Sequence, residues 1–233
     1  MAQASTRAGK ASRPRRYLRI ALRVSVCLAL IPIVLVPVYG LVPPVSTLMI
    51  FTRLVHGPIE RDWVAFDDIA QNLVASVLMS EDGRFCEHAG VDWHEVGNVL
   101  DRSANRPRGA STIAMQTARN LFLWTSRSYV RKGLEIPLAL YADLVWTKRR
   151  EMEIYLNIVE WGPGIFGAEA AARHYFKRSA KDLNGTQAAL LAVALPNPIA
   201  RNPAHPNRHM QSIARIAAAR ARGSGAYIAC LYP

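Results

Sequence analysis

The sequence lacks the features that mark disulfide-rich, fibrous and disordered chains. Only 3 of its 233 residues are cysteine, which excludes a small domain held together by disulfides. One of the three, Cys27, lies in an apolar run, and a bridge between Cys86 and Cys230 is compatible with the sequence without being decided by it. Glycine and proline number 14 each and apolar residues make up 51%, so the composition indicates a globular core.

Acidic residues are absent from the first 23 residues, which carry seven basic ones. The formal net charge of +12 belongs mostly to this tail, because residues 24–233 hold 22 basic groups against 17 acidic ones. A nucleic-acid-binding domain would carry its excess positive charge on the folded part of the chain. We therefore expect no nucleic-acid partner.

A run of 29 residues without any charge extends from Val24 to Thr52. About 20 residues of helix cross the hydrocarbon core of a bilayer, whereas a cleaved signal peptide has an apolar core of about 7–15 residues and a small-residue cleavage site. The sequence shows no such site, so it predicts an uncleaved anchor at Val24–Val42, with a removed signal peptide as the alternative. Its basic flank should lie in the cytoplasm.

The predicted division of the chain follows from this anchor. It comprises a cytoplasmic basic tail (1–23), a transmembrane anchor with a juxtamembrane segment (24–48) and one domain outside the cytoplasm (49–233).

Helical periodicity dominates that domain, and no stretch shows sustained period-two alternation, so the predicted fold class is all-α. In the first helical stretch, Phe66, Ile69, Leu73 and Val77 lie on one face. The predicted helices are Val64–Ser80, Thr112–Trp124, Tyr129–Trp146, Arg149–Glu160, Gly167–Phe176, Gly185–Leu195 and Gln211–Arg222.

Glu81 and Asp82 close the first of these helices. A carboxylate at the end of a helix whose apolar face is buried can be partly desolvated, which raises its pKa toward the value that a general base needs. The alternative is a pair of carboxylates at a solvated helix end.

Basic residues recur in the next two helices. Arg127, Arg131 and Glu135 are spaced by four and share one helix face. A cationic array of this kind suits a multiply charged phosphate leaving group, although an exposed face with a surface ion pair worth about 0.3–0.5 kcal/mol would show the same spacing. The predicted array comprises Arg119, Arg127, Arg131, Lys132 and Lys148.

Five segments, in order, resemble the motifs of the peptidoglycan glycosyltransferases. The segment EDGRFCEHAG resembles Glu-Asp-x-x-Phe-x-x-His-x-Gly, and RGASTIAMQTARNLFL resembles the second motif, with its Gly-x-Ser-Thr-Ile start. RKGLE resembles Arg-Lys-x-x-Glu, and the last two segments are KRREMEIYLNIVEWGPGIFGAEAAARHYF and AALLAVALPNPIARNP. The resemblance covers roughly residues 69–203. With one anchor and no transpeptidase domain, the chain is similar to the single-function members of this family in Gram-negative bacteria.

The resemblance implies a lysozyme-like, two-lobed α-helical domain and a reaction that joins lipid II units, with inversion and release of the lipid diphosphate. Glu81 matches the general base, and Glu135 matches a second carboxylate that holds a divalent cation, Mg²⁺ or Mn²⁺, or organises the leaving-group site. Further residues match substrate-binding positions: Asp82, Phe85, His88, Ser111, Thr112, Gln116, Arg119, Asn120, Arg127, Arg131, Lys132 and Lys148.

The resemblance also implies partners and a location. The expected partners are lipid II, lipid-linked glycan, lipid of the inner membrane, and other proteins of cell-wall synthesis and division. The catalytic domain should lie in the periplasm, held by a single-pass anchor in the inner membrane.

Some residues depart from the family pattern. Met115 stands where the family has glutamine, which we interpret as the loss of an amide lining the cleft, and Arg119 replaces the more common lysine. Pro137 should kink its helix and alter the placement of Glu135. Two other functions stay open: a lytic glycosidase of the same fold that uses Glu81 as general acid, and a membrane-tethered protein that binds precursor without turnover.

Overall fold

The computed structural model describes residues 13–101, 111–126 and 128–232. Within these ranges the chain forms ten α-helices and three strands of two or three residues each. The helices are α1 (Arg13–Tyr39), α2 (Thr47–Val55), α3 (Gln71–Glu81), α4 (Trp93–Asp101), α5 (Ile113–Phe122), α6 (Tyr129–Val145), α7 (Lys148–Ile158), α8 (Ala168–Phe176), α9 (Gly185–Ala194) and α10 (Arg208–Arg222). The strands are β1 (Glu60–Arg61), β2 (Glu160–Gly162) and β3 (Ile165–Phe166), paired in the order β1-β3-β2.

Each of the seven predicted helices is present, with ends that shift by a few residues. The largest shift is at α3, which begins at Gln71 because Phe66–Asp68 form a separate 3₁₀ turn. Ile69 then adopts an extended conformation and Ala70 another non-helical one, which interrupts the helix. Helices α2 and α4 were not predicted. The apolar α2 is concealed in the charge-free run, which periodicity alone does not divide into two helices.

Helix α1 contains a candidate membrane span, Arg16–Tyr39, of 24 residues, in which an 18-residue stretch has a mean hydropathy of 2.4 and mostly exposed side chains. Its length and composition suffice to cross a membrane, which supports the predicted anchor. The helix begins before Val24 and ends at Tyr39 rather than Val42. The predicted domain boundary after residue 48 falls within α2, and the division into domains stays a prediction.

Pro37 lies near the end of α1 and has no N–H to donate to the carbonyl of Ile33 one turn earlier. The hydroxyl of Tyr141, in α6, donates to this carbonyl at 2.9 Å. The side chain of one helix therefore satisfies the acceptor that proline leaves open in another.

The end of α1 is also tied to α6 and α7. Trp146 donates its indole N–H to the carbonyl of Val36 at 2.7 Å. Arg150 donates at 2.9 Å to the carbonyl of Tyr39, an acceptor that the helix end leaves without an intrahelical donor, and at 2.8 Å to the carbonyl of Val42 just beyond the helix. The anchor therefore joins the helical domain through direct contacts.

Two apolar clusters position the functional cleft. The larger is built from α3, α7, α8 and α9, around fully buried side chains such as Leu73, Tyr155 and Trp161. A smaller cluster includes Met115 and Ala118 of α5 and Ala139 of α6. The end of α3 packs in the larger cluster, and α5 contributes side chains to both clusters. The residues where α3 meets α5 are therefore fixed by buried contacts.

Candidate active site

A cleft of about 790 Å³ lies beside the end of α3 and the start of α5. It also includes the Leu195–Pro196 segment after α9 and Arg220 of α10. The lining residues are Ser80, Glu81, Asp82, Gly83, Arg84, Asp92, Glu95, Ser111, Thr112, Gln116, Arg119, Leu195, Pro196 and Arg220. Six predicted site residues are in this set, and they come from two separate motifs of the sequence.

Glu81 is the last residue of α3, and its carboxylate reaches the cleft. The amide of Gln116 donates to its Oε2 at 3.0 Å. Burial raises the pKa of the Glu81 carboxyl above its usual value; the hydrogen bond from Gln116 and the positive charges of Arg119 and Arg201 oppose this rise. A carboxylate in such surroundings is suited to accept a proton from a substrate hydroxyl.

Gln116 connects this carboxylate to two other groups. Its Oε1 accepts a hydrogen bond from the hydroxyl of Tyr155 at 3.1 Å, and its Nε2 also lies 3.4 Å from the carbonyl oxygen of Ser111. Gln116 therefore holds the end of α3 against α5 and α7.

Asp82 serves the packing of this junction. Its carboxylate accepts from the backbone N–H of Ile113, the first residue of α5, at 2.9 Å, and lies 2.9 Å from Nε2 of His88. The Asp82 side chain is 4% exposed and that of His88 is 8% exposed. Both were predicted to contact substrate; in the structure they contact each other, and His88 does not line the cleft.

Phe85 and Lys148 contact each other near the segment that joins α3 to α4. Phe85 is fully buried, with the Lys148 ammonium 4.5 Å from its ring centroid. Lys148 donates to the carbonyl of His88 at 2.7 Å and pairs with Asp143. Neither of these predicted substrate-binding residues is in the lining of the cleft; Lys148 instead contacts the segment that joins α3 to α4.

The cationic part of the site begins with Lys132 in α6. Its ammonium donates to Oγ of Ser111 and to Oε2 of Glu135, each at 3.1 Å. Arg131 pairs with the other oxygen of Glu135 and donates to the carbonyl of Ser126 at 2.8 Å. Ser111 therefore joins the two halves of the site, since its carbonyl faces Gln116 and its hydroxyl faces Lys132.

Arg119 and Asn120 occupy adjacent positions of α5. Arg119 lines the cleft and also a neighbouring cavity of about 220 Å³, which Asn120 and Arg131 share. Thr112 caps the start of α5, because its hydroxyl accepts from the N–H of Met115 at 3.2 Å. The remaining predicted cation, Arg127, lies outside the described residues.

Comparison with known proteins decides the family. The family model described as "Transglycosylase" matches residues 49–222. The chain is 60% identical to the biosynthetic peptidoglycan transglycosylase of Brucella suis over 91% of this chain and 96% of that protein. It is 55% identical to that of Agrobacterium fabrum, over 88% and 92%, and 52% identical to that of Rhizobium meliloti, over 98% and 97%. The chain belongs to the transglycosylase family. This confirms the resemblance found in the five motifs, and the all-α prediction with it.

A divalent cation held by Glu135 does not fit the side chains of this transglycosylase. Each oxygen of Glu135 already contacts a cation, Arg131 or Lys132, and among the described residues no three His, Cys, Asp or Glu side chains come together as a ligand set. A Mg²⁺ or Mn²⁺ ion prefers several oxygen ligands. The divalent-ion requirement stays a prediction.

Met115 of the transglycosylase does not face the cleft. It is 1% exposed and packs in the small cluster with Val91, Ala118 and Ala139. The interpretation that this residue removes a cleft amide is wrong, because the side chain at this position of α5 points into the core. The helix α6 continues through Pro137, and Glu135 is 1% exposed within it; the kink stays a prediction.

Sequence reasoning missed several residues around the transglycosylase cleft. Arg84 and Arg220 line it, and the buried hydroxyl of Tyr155 donates a hydrogen bond to Gln116. Glu151, in α7, is fully buried outside the cleft lining, and its carboxylate lies 3.9 Å from the Lys148 ammonium. Only a motif match pointed to Tyr155, and no spacing signal distinguishes the other three from ordinary surface charges.

Proposed function

We propose that the protein is a membrane-anchored peptidoglycan glycosyltransferase that joins lipid II units into β-1,4-linked glycan strands. Family membership supports the activity, and the relatives are named for it. The single observation that carries the mechanism is the Glu81 carboxylate, which reaches the cleft at the end of a buried helix with its pKa raised by burial.

Glu81 acts as the general base. A sugar hydroxyl is a weak nucleophile, so removal of its proton as the bond forms accelerates attack by about 10²–10⁴-fold. The 4-hydroxyl oxygen of one lipid II attacks C1 of the other sugar from the face opposite the diphosphate. The C1–O bond to the diphosphate breaks with inversion, its electron pair leaves with the phosphate oxygen, and the hydroxyl proton passes to Glu81.

The departing diphosphate needs positive charge rather than a proton. Lys132 is one cation suited to this task, because its side chain is 43% exposed and its ammonium contacts Ser111, which lines the cleft. Arg119 supplies a second charge from the cleft wall. Arg131 is 10% exposed and paired with Glu135, so we assign this pair the task of holding Lys132 in place.

The anchor brings the domain to its lipid-linked substrates. Helix α1 is long and apolar enough to span a bilayer, and the basic tail before it favours an N-terminus in the cytoplasm. The Cys86–Cys230 disulfide supports the same orientation, because disulfides persist in the periplasm and not in the cytosol. We therefore place the domain on the periplasmic face of the inner membrane. Contacts with other cell-wall synthesis and division proteins stay a prediction.

The two alternative functions make different demands on the site. A lytic glycosidase has no diphosphate to bind, so the charges of Lys132 and Arg119 would have no role in its reaction. A precursor-binding protein needs no general base. The site combines a base with cations, which favours transfer.

Incubation of the purified full-length protein with labelled lipid II tests this function. The proposal predicts a polymer that lysozyme digests, and unchanged length of pre-formed glycan added to a parallel reaction. Shortened glycan without polymer would support the lytic reading. Bound but unreacted lipid II would support the binding protein. Parallel reactions with Mg²⁺, Mn²⁺ and a chelator test the divalent-ion prediction.

A further inference from the structure

A chain of two hydrogen bonds connects the protein core to Glu81. Tyr155, in α7, is fully buried, and its hydroxyl donates to Oε1 of Gln116 at 3.1 Å. Nε2 of the same amide donates to Oε2 of Glu81 at 3.0 Å. Tyr155 does not line the cleft, so any influence it has on the reaction must pass through Gln116.

The chemistry of the three groups fixes the direction of both bonds. An ionised carboxylate can only accept hydrogen bonds, so Gln116 must turn its NH₂ group toward Glu81. Its carbonyl oxygen then faces the core and needs a donor. The Tyr155 hydroxyl is that donor, and burial together with the charge of Glu81 raises the pKa of Tyr155 well above 10, which keeps the phenol protonated.

We propose that Tyr155 is a positioning residue for the transfer reaction, which fixes the amide of Gln116 and through it the carboxylate of Glu81. The inference rests on the proposed function, in which Glu81 is the base. Without the hydroxyl, the Gln116 carbonyl oxygen loses its donor and the amide is held less firmly, which weakens the hydrogen bond that stabilises the charged form of the Glu81 carboxylate.

Tyr155→Phe tests this directly, since it keeps the ring in the core and removes only the hydroxyl. The loss of one such bond should lower the turnover rate about three- to ten-fold, with KM unchanged because Tyr155 does not touch substrate. The acidic limb of the pH–rate profile should move to higher pH, because a base with a raised pKa loses its proton only at higher pH. Tyr175→Phe is the matched control: Tyr175 donates to the carbonyl of Trp161 at 3.3 Å, and its loss should leave the profile unchanged.

A double-mutant cycle separates positioning from general loss of packing. Gln116→Met should move the acidic limb in the same direction, and adding Tyr155→Phe to it should move the limb no further. The proposal would be overturned if Tyr155→Phe moved the acidic limb equally in wild type and in Gln116→Met. It would also be overturned if Tyr155→Phe alone left the limb unmoved.

The pKa of the Glu81 carboxyl is also measured by ¹³C NMR of labelled glutamate, assigned with Glu81→Gln. This measurement needs no turnover. Failure to polymerise lipid II would contradict the proposed function, whereas an unchanged Glu81 titration in Tyr155→Phe would contradict this inference alone.

Discussion

The carboxylates of Glu81 and Asp82 are adjacent in the chain but face different partners. Asp82 accepts from the N–H of Ile113 and from the ring of His88. Glu81 turns to the cleft and, within the described residues, accepts one side-chain hydrogen bond, from Gln116. Asp82 therefore holds the end of α3 against the start of α5, whereas the carboxylate of Glu81 reaches the cleft, where the proposed mechanism needs a base.

These different contacts predict that neutralising Asp82 and neutralising Glu81 lower the free energy of unfolding by different amounts. Asp82→Asn should lower the free energy of unfolding by about 1–3 kcal/mol, because it weakens a buried contact with the start of α5. Glu81→Gln should cost little stability, since neutralisation removes the unfavourable burial of a charge. Thermal and urea unfolding of the two variants measures the difference. Equal losses would contradict these assignments.

Glu151 predicts a pH dependence of stability. Its carboxyl is fully buried, and this burial raises its pKa from 4.5 to about 8, with the positive charge of Lys148 opposing the rise and Asp143 adding to it. An acid whose pKa is raised on folding contributes its full stability below its unfolded pKa, and that stability is lost as the pH rises from 4.5 toward 8.

Glu151→Leu should therefore stabilise the protein relative to wild type by an amount that grows with pH across this window. Differential scanning calorimetry at several pH values checks it. A difference in Tm that does not vary with pH would show that Glu151 titrates normally.

The disulfide between Cys86 and Cys230 closes a loop across a sequence separation of 144 residues. Replacing both cysteines by serine should lower the free energy of unfolding by about 2–5 kcal/mol. Cys27, exposed in α1, is the control, and Cys27→Ser should have no effect. The urea midpoint of each variant, with and without reductant, measures this. A double variant as stable as the oxidised wild type would contradict it.

Glu135 and Lys132 contact each other but should respond differently to substitution. Glu135 is 1% exposed and its loss leaves the Arg131 charge unpaired, so Glu135→Gln should cost about 3–5 kcal/mol of stability. Lys132 is 43% exposed, so Lys132→Gln should change stability by less than about 0.5 kcal/mol. The polymerisation rate of Lys132→Gln should nevertheless fall at least about tenfold, because the variant lacks a positive charge that stabilises the leaving group. A Lys132→Gln variant with normal polymerisation would remove Lys132 from the mechanism.

The sequence predicted the helices well because their apolar faces repeat locally, and ordered motifs located Glu81. It did not show that Asp82 and Glu81 face different partners, because the deciding contact joins Asp82 to Ile113, which is distant in sequence. The same limit explains Lys148, whose partners are Asp143 near the end of α6 and His88 in the segment that joins α3 to α4. Met115 was misread because a motif records residue types but not which side of a helix faces the cleft.

The initial rate of lipid II polymerisation by Glu81→Gln, compared with wild type at matched lipid II occupancy, tests the central claim most directly. Loss of the base should lower the rate by about 100-fold or more, while lipid II binding and thermal stability stay within experimental error of wild type. A folded Glu81→Gln variant that polymerises lipid II within tenfold of the wild-type rate would contradict the assignment of Glu81 as general base.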